Sequence, residues 1–156
     1  MARNDLNVVV NNSTSLPLNI ATEMQHGLYS GGQVPTLTGN PNATPPVTAT
    51  ATLPVTAAGE GSNIFLYITS GQNVWGIVVA VPSNKGNYFQ YVYYGWPKAE
   101  GDTLNAANGS QEYNKGGGNQ SFFASNGSTA QGTQVNVSIT GTSDPATCTI
   151  DVIPAS

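Results

Sequence analysis

The sequence predicts an all-β protein: a single-domain antiparallel β-sandwich, spanning residues 1–156, with a long polar loop region. Three observations support this prediction. Apolar and polar residues alternate at period two in several stretches, turn residues separate these stretches at short intervals, and no extended apolar stripe has helical periodicity. A chain of 156 residues also has the length of one ordinary domain.

Two strands are predicted at the amino-terminal end. Leu6, Val8 and Val10 share one face of the first strand, and a second apolar series starts at Leu16. Residues 11–15 between them are Asn, Ser and Thr, which favour a turn. We therefore predict that the first two strands form a hairpin, followed by a surface loop rich in Gly, Pro and Asn.

Residues 47–57 carry the clearest alternation in the chain. Small apolar residues occupy the odd positions, and threonines occupy every even position except Pro54. Period two places the apolar residues inward and the threonines outward. Because proline has no N–H to donate to a neighbouring strand, we expect this strand at a sheet edge.

Three longer strands are predicted at 64–69, 74–81 and 88–96, with short turns between them. Such spacing predicts an antiparallel meander. The middle strand is apolar on both faces, as is typical of a strand at the centre of its sheet.

The carboxyl-terminal third combines a polar region with two closing strands. Residues 98–133 are rich in Gly, Asn and Ser, and we expect a long loop there with one short strand near 121–124. Alternation returns at 135–139 and again at Cys148, Ile150 and Val152, which we place on the core side. We therefore predict that Cys148 is a buried, unreactive thiol.

The composition excludes several classes of function. Charged residues make up 8% of the chain, and its four Lys and Arg residues are dispersed, so no nucleic-acid surface is expected. One histidine and one cysteine exclude an intrachain disulfide and zinc sites built from several such ligands. His26 has no nucleophile-elbow sequence to accompany it, and Glu100, Asp102 and Glu112 lie in polar loop sequence. We predict no enzymatic activity and no cofactor.

The most unusual chemistry lies in the aromatic segment 88–97. Alternation places Tyr91 and Tyr93 on one face, and Tyr88, Tyr94 and Trp96 on the other. A sandwich strand has only one face in the core, so these rings either pack with cross-strand partners or form a contact surface. Exposed rings stack on sugars, attract choline headgroups or lie at a membrane surface. The candidate ligand-binding residues are Trp75, Tyr88, Tyr91, Tyr93, Tyr94 and Trp96.

The order and spacing of these segments resemble the aegerolysins. The resemblance lies in the opening strand through residues 10–13, the second strand ending at residues 27–29, the aromatic strand 91–97 and the closing strand pair. Aegerolysins are small acidic β-sandwich proteins that bind particular membrane lipids and often act with a larger pore-forming partner. The resemblance implies a lipid-binding function here, with headgroup contacts from Tyr91, Tyr93, Tyr94 and Trp96.

Three functions remain open at this point. The first is binding of a membrane lipid headgroup, as a component of a pore-forming toxin system with a larger partner protein. The second is a carbohydrate-binding, lectin-like module that recognises a glycan. The third is a structural subunit that self-assembles into an oligomer, fibre or inclusion. With no signal peptide and no membrane-length apolar run visible, we expect a soluble protein that is cytoplasmic or released by a non-classical route.

Overall fold

The computed structural model describes residues 5–57, 61–70, 73–82, 91–96, 108–113, 118–123, 133–139 and 145–154. Every regular element in these ranges is a strand, which confirms the all-β prediction. Accordingly, no helix within them is long and apolar enough to cross a membrane. The strands are β1 (Leu6–Asn12), β2 (Asn19–His26), β3 (Ala49–Val55), β4 (Gly61–Ser70), β5 (Asn73–Pro82), β6 (Tyr91–Trp96), β7 (Asn108–Tyr113), β8 (Gly118–Phe123), β9 (Thr133–Ile139) and β10 (Ala146–Pro154).

These strands form two five-stranded sheets. The first sheet has the order β3-β1-β10-β9-β8, and the second has the order β2-β4-β5-β6-β7. The predicted meander is present as β4-β5-β6 with β5 at its centre, and β3 lies at a sheet edge as Pro54 indicates. One pairing departs from the antiparallel prediction, because β1 and β10 run parallel.

The predicted amino-terminal hairpin is wrong, because β1 and β2 belong to different sheets. Its turn residues carry the chain from one sheet to the other. The side-chain amide of Asn12 donates hydrogen bonds to the carbonyl oxygens of Leu16 and Leu37, each at 2.8 Å. Its side-chain oxygen accepts the backbone N–H of Thr14 at 3.0 Å and the Thr14 hydroxyl at 2.7 Å. Buried Asn12 thereby satisfies both ends of its amide while it fixes this crossing.

The polar region 98–133 contains two described strands where we predicted one. β7 joins the edge of the second sheet and β8 joins the edge of the first. Their sequences, NGSQEY and GNQSFF, lack apolar alternation. β7 and β8 form because their backbones pair with β6 and β9. This pairing requires no alternation of apolar and polar side chains, so it cannot be predicted from such a pattern. The remainder of the region lies outside the described residues.

The core lies between the sheets and follows period two in both of them. In β1 and β10 every second residue is buried, including Cys148, whose predicted burial is confirmed. Burying one such aliphatic side chain stabilises the fold by about 1.5–3 kcal/mol. Among the described residues, the largest fully buried side chains of this core are Leu6, Leu18, Leu53, Ile64, Leu66, Ile68, Ile77 and Ile150; Phe65 is buried as well but lies outside this core cluster.

Candidate functional site

The register of the second sheet assigns three predicted aromatic residues to its core side. Trp75 pairs with Ile68, and Tyr94 pairs with Ile77. Both isoleucines are buried in the core, and directly paired residues share a face. Trp96 lies two residues beyond Tyr94 and so occupies the same side of β6.

The remaining described members of the predicted set, Tyr91 and Tyr93, lie on the opposite side of the second sheet. Tyr93 pairs with Val78, and Tyr91 pairs with Ala80. We call this side, directed away from the core, the outer face. The six predicted residues therefore do not form one surface: three lie on the core side, two lie on the outer face, and Tyr88 is outside the described residues.

Two further aromatic residues share the outer face, and neither is among the candidate ligand-binding residues predicted from the sequence. Phe65 and Tyr67 alternate in β4 with core residues, so they occupy the side away from the core. Phe65 is 1% exposed although it does not belong to the core cluster between the sheets, whereas Tyr67 is half-buried. The sequence does indicate that both sides of β4 carry large side chains, because residues 64–68 are apolar or aromatic at every position.

A pair of glycines lies beside Tyr67 on the outer face. Tyr67 pairs with Gly76, and Gly76 pairs with Gly95. Directly paired residues in a sheet have Cβ positions about 4.5–5.5 Å apart, so two neighbouring positions next to the tyrosine carry no side chain. We call the positions of Gly76 and Gly95 the glycine trough. The neighbouring row along the strands carries Val78 and Tyr93.

The row of paired residues that contains Val78 and Tyr93 has an acidic residue at each end. Glu23 pairs with Phe65 across β2 and β4, and Glu112 pairs with Tyr93 across β6 and β7. Glu23 is exposed at its strand. The outer face therefore combines aromatic positions, the glycine trough and two acidic positions, of which Glu23 is exposed, and this combination favours a cation.

The outer side of the first sheet has a different, polar chemistry. The Thr50 hydroxyl donates to the side-chain oxygen of Asn11 at 2.7 Å, and the Asn11 amide donates to Oδ1 of Asp151 at 2.8 Å. These residues come from three adjacent strands in one row. The hydrogen bonds fix the orientation of the Asn11 amide and hold one oxygen of the Asp151 carboxylate.

The described residues offer neither a metal site nor an activated thiol. No three His, Cys, Asp or Glu side chains among them form a group that could hold a metal ion. Cys148 is buried, and the loss of solvent raises the pKa of its thiol above the ordinary value of 9.0. A neutral, inaccessible thiol is a poor nucleophile and metal ligand.

Comparisons with known proteins give no family for this chain. No protein family model matches it, and no curated protein matches it significantly. Among solved structures, the crystal structure of IP-1A from Alcaligenes faecalis is similar at a TM-score of 0.43 and 8% sequence identity, covering 99% of this chain and 94% of that chain.

Proposed function

We propose that this protein is a non-enzymatic binding protein for membrane lipid headgroups and that the outer face of the second sheet contacts them at Tyr67 and the glycine trough, beside the covered Phe65. The observation that carries the proposal is the glycine trough beside Tyr67, with Tyr93 in the adjacent row. Two positions without side chains, next to aromatic positions, leave room for a small headgroup.

The chemistry of the face favours a headgroup that carries a quaternary ammonium. Such a cation is attracted by the negative face of an aromatic ring, with a contribution of about 0.5–2 kcal/mol for each contact. Glu23, exposed at the end of the Phe65 row, adds attraction for positive charge. Choline headgroups are therefore the preferred class.

The net charge of the protein supports a zwitterionic surface over an anionic one. At pH 7 the chain carries a formal charge of -4. Anionic leaflets attract basic segments and repel acidic proteins within about one Debye length. Phosphatidylcholine is consistent with both the aromatic outer face and this charge.

The resemblance to aegerolysins supports an extension of the proposal to a larger pore-forming partner protein. In this arrangement the present chain recognises the lipid and the partner forms the pore. The described residues supply aromatic positions for recognition. They contain no helix that is long and apolar enough to cross a membrane.

Vesicle co-sedimentation tests the proposal. We expect the protein to sediment with phosphatidylcholine vesicles and to remain in the supernatant with phosphatidylglycerol vesicles. Soluble phosphocholine should compete with the first interaction. If folded protein stays in the supernatant with phosphatidylcholine at every ratio of lipid to protein, the proposal is wrong.

A second candidate function, glycan binding, is favoured by the polar row on the first sheet. Sugar hydroxyls bind to carboxylate and amide groups whose orientation is fixed in advance. Asn11 and Asp151 are held in this way, and both are partly exposed to solvent. A glycan array tests this candidate: Asp151→Ala should abolish any binding, and Glu23→Ala on the other sheet is the matched control. An array without any bound glycan excludes it.

A further inference from the structure

Two loops lie side by side at one end of the sandwich. Residues 13–17 connect β1 to β2, and residues 40–48 lead into β3. The end of β1 pairs with the start of β3, so both loops leave the first sheet at the same end. The hydroxyl of Ser13 lies 3.0 Å from that of Thr48, at hydrogen-bond distance, and joins the two loops. We call residues 13–17 and 40–48 together the loop tip.

The loop tip exposes apolar side chains that take no part in the core. Leu16 is 42% exposed and Val47 is 51% exposed. The same two loops also expose Pro17, Pro45 and Pro46. Single exposed apolar residues are ordinary on a protein surface, whereas a cluster of them in adjoining loops indicates a contact surface.

The chain that forms the loop tip is uncharged. Residues 6–22 and 27–59 contain no Asp, Glu, Lys or Arg. In an average soluble domain about a quarter of the residues are charged, so uncharged stretches of this length are unusual. Moving a charge into a medium of low dielectric constant is costly, and the residues of the loop tip avoid that cost.

Backbone N–H groups of the loop tip form hydrogen bonds within it. The carbonyl oxygen of Asn40 accepts the N–H groups of Ala43 at 3.3 Å and of Val47 at 2.9 Å. The hydroxyl of Thr14 accepts the N–H of Leu16 at 3.3 Å. The loop tip also contains four prolines, which have no N–H. Because lipid offers no hydrogen-bond partners to the backbone, a segment that satisfies its own donors enters lipid at lower cost. A partner that adds a strand would instead need free donors.

The size of the loop tip favours a bilayer over a second copy of this chain. A stable protein interface buries about 800 Å² on each partner and involves about 20–30 residues a side. The loop tip has fewer residues than that, and it has no charged side chain to orient a protein partner. Binding to a bilayer requires only apolar area, because the affinity rises with the area that enters the lipid.

The loop tip lies at the same end of the molecule as the glycine trough. Asn19 begins β2 and pairs with Thr69, and Ala21 pairs with Tyr67. Leu16 thus precedes the strand partner of Tyr67 by five residues, a length of chain that spans at most about 18 Å. The loop tip and the glycine trough can therefore contact the same membrane surface.

We propose that the loop tip inserts the side chains of Leu16 and Val47 into a phosphatidylcholine bilayer, at the boundary between headgroups and acyl chains, while the glycine trough receives a headgroup of the same leaflet. This inference rests on the proposed lipid-binding function and adds a second contact to it. The trough selects the headgroup, and the loop tip adds affinity through the apolar area that enters the lipid. Soluble phosphocholine has no acyl chains, so the loop tip contributes nothing to its binding.

Charge substitutions at the two ends of the molecule test the proposal. Leu16→Glu places a carboxylate in the loop tip and should weaken co-sedimentation with phosphatidylcholine vesicles at least about tenfold. Leu28→Glu is the matched control, because Leu28 is 64% exposed but lies at the opposite end, where it pairs with Thr56. Vesicle binding by that control should be unchanged, and both variants should bind soluble phosphocholine as the unaltered protein does. Val47→Glu repeats the test if Leu16→Glu fails to fold.

A fluorescent label measures the insertion itself. Leu16→Cys and Leu28→Cys each add one exposed thiol for an environment-sensitive nitrobenzoxadiazole label, since Cys148 is buried. With phosphatidylcholine vesicles, the emission of the label at position 16 should shift to shorter wavelength and should be quenched by lipid that carries a spin label in its acyl chain. The label at position 28 should show neither change.

Three results would overturn the proposal, and they are distinguishable from one another. If the unaltered protein binds vesicles and Leu16→Glu and Val47→Glu bind them equally well, the loop tip stays in water, while the lipid-binding function stands. If the unaltered protein binds neither vesicles nor phosphocholine, the proposed function is wrong and the insertion fails with it. If the emission of the label at position 16 shifts without vesicles as the protein concentration rises, a second copy of this chain covers the loop tip.

Discussion

The side-chain oxygen of Asn12 accepts two hydrogen bonds from Thr14, one from its backbone N–H at 3.0 Å and one from its hydroxyl at 2.7 Å. This pair is buried where the chain passes from β1 in the first sheet towards β2 in the second. The amide nitrogen of Asn12 binds the segments on either side, through the carbonyls of Leu16 and Leu37. One buried side chain thus positions three stretches of backbone between the sheets.

Asn12→Ala should therefore destabilise the fold strongly. The substitution leaves two carbonyl oxygens and the polar groups of Thr14 without their partner, and each buried unsatisfied group costs about 1–3 kcal/mol. We expect a loss of about 3 kcal/mol in the free energy of unfolding, measured by urea denaturation. Asn11→Ala, at the partly exposed neighbouring position, is the control and should cost about 1 kcal/mol or less. Equal losses in the two variants would contradict this account of Asn12.

Gly39→Ala should be destabilising because of a clash. A Cβ on Gly39 would be 2.5 Å from the carbonyl oxygen of Asn12 and 2.8 Å from that of Val47. Backbone oxygens cannot rotate away as a side chain can. Gly32→Ala is the control, since it meets nothing within 4 Å and is strained only by its φ of +74°. We expect Gly32→Ala to cost about 1 kcal/mol and Gly39→Ala clearly more, as measured by thermal unfolding of both variants.

Burial of Cys148 predicts a specific loss of stability in alkaline solution. Burial raises the pKa of this thiol above 9.0, so above pH 9 the unfolded chain releases a proton that the folded chain keeps. Stability from this group is then intact below pH 9 and falls as the pH rises, by about 1.4 kcal/mol for each pH unit. Urea denaturation of the protein and of Cys148→Ala from pH 7 to pH 11 measures the difference. Parallel pH profiles of the two proteins would show that the thiol ionises equally in both states.

The same burial predicts protection of the thiol from modification. In native conditions at pH 8, a thiol reagent such as dithionitrobenzoate should label Cys148 only on the time scale of unfolding, because the side chain is buried. In urea the labelling should become rapid. Fast stoichiometric labelling of the folded protein would place the thiol at an accessible position.

The sequence predicts much of the fold where the evidence is local. The threonine alternation with Pro54 identifies β3 as an edge strand, and turn spacing identifies the β4-β5-β6 meander. The prediction of an amino-terminal hairpin is wrong for a physical reason. The turn residues that begin at Asn12 indicate a change of chain direction, but they do not indicate which sheet the next strand enters. The parallel pairing of β1 with β10 joins residues as distant as Leu6 and Ala146, and no local pattern contains that information.

The candidate site was predictable only in part, for a similar reason. Alternation separates Tyr91 and Tyr93 from Tyr94 and Trp96, but only the pairing with buried Ile77 shows which side is the outer face. Tyr67 was missed because residues 64–68 are apolar or aromatic at every position, which is typical of core sequence. The glycine trough depends on the register of three strands, which emerges from the pairing of β4, β5 and β6.

The most direct test of the central claim compares variants of Tyr67 in co-sedimentation with phosphatidylcholine vesicles. Tyr67→Ala removes the ring beside the glycine trough and should weaken vesicle binding about tenfold, whereas Tyr67→Phe keeps the ring and should bind nearly as the unaltered protein does. Val9→Ala, at a half-buried position on the outer side of the other sheet, is the control and should leave binding unchanged. Vesicle binding by folded Tyr67→Ala equal to that of the unaltered protein would contradict the claim that the outer face of the second sheet contacts the lipid.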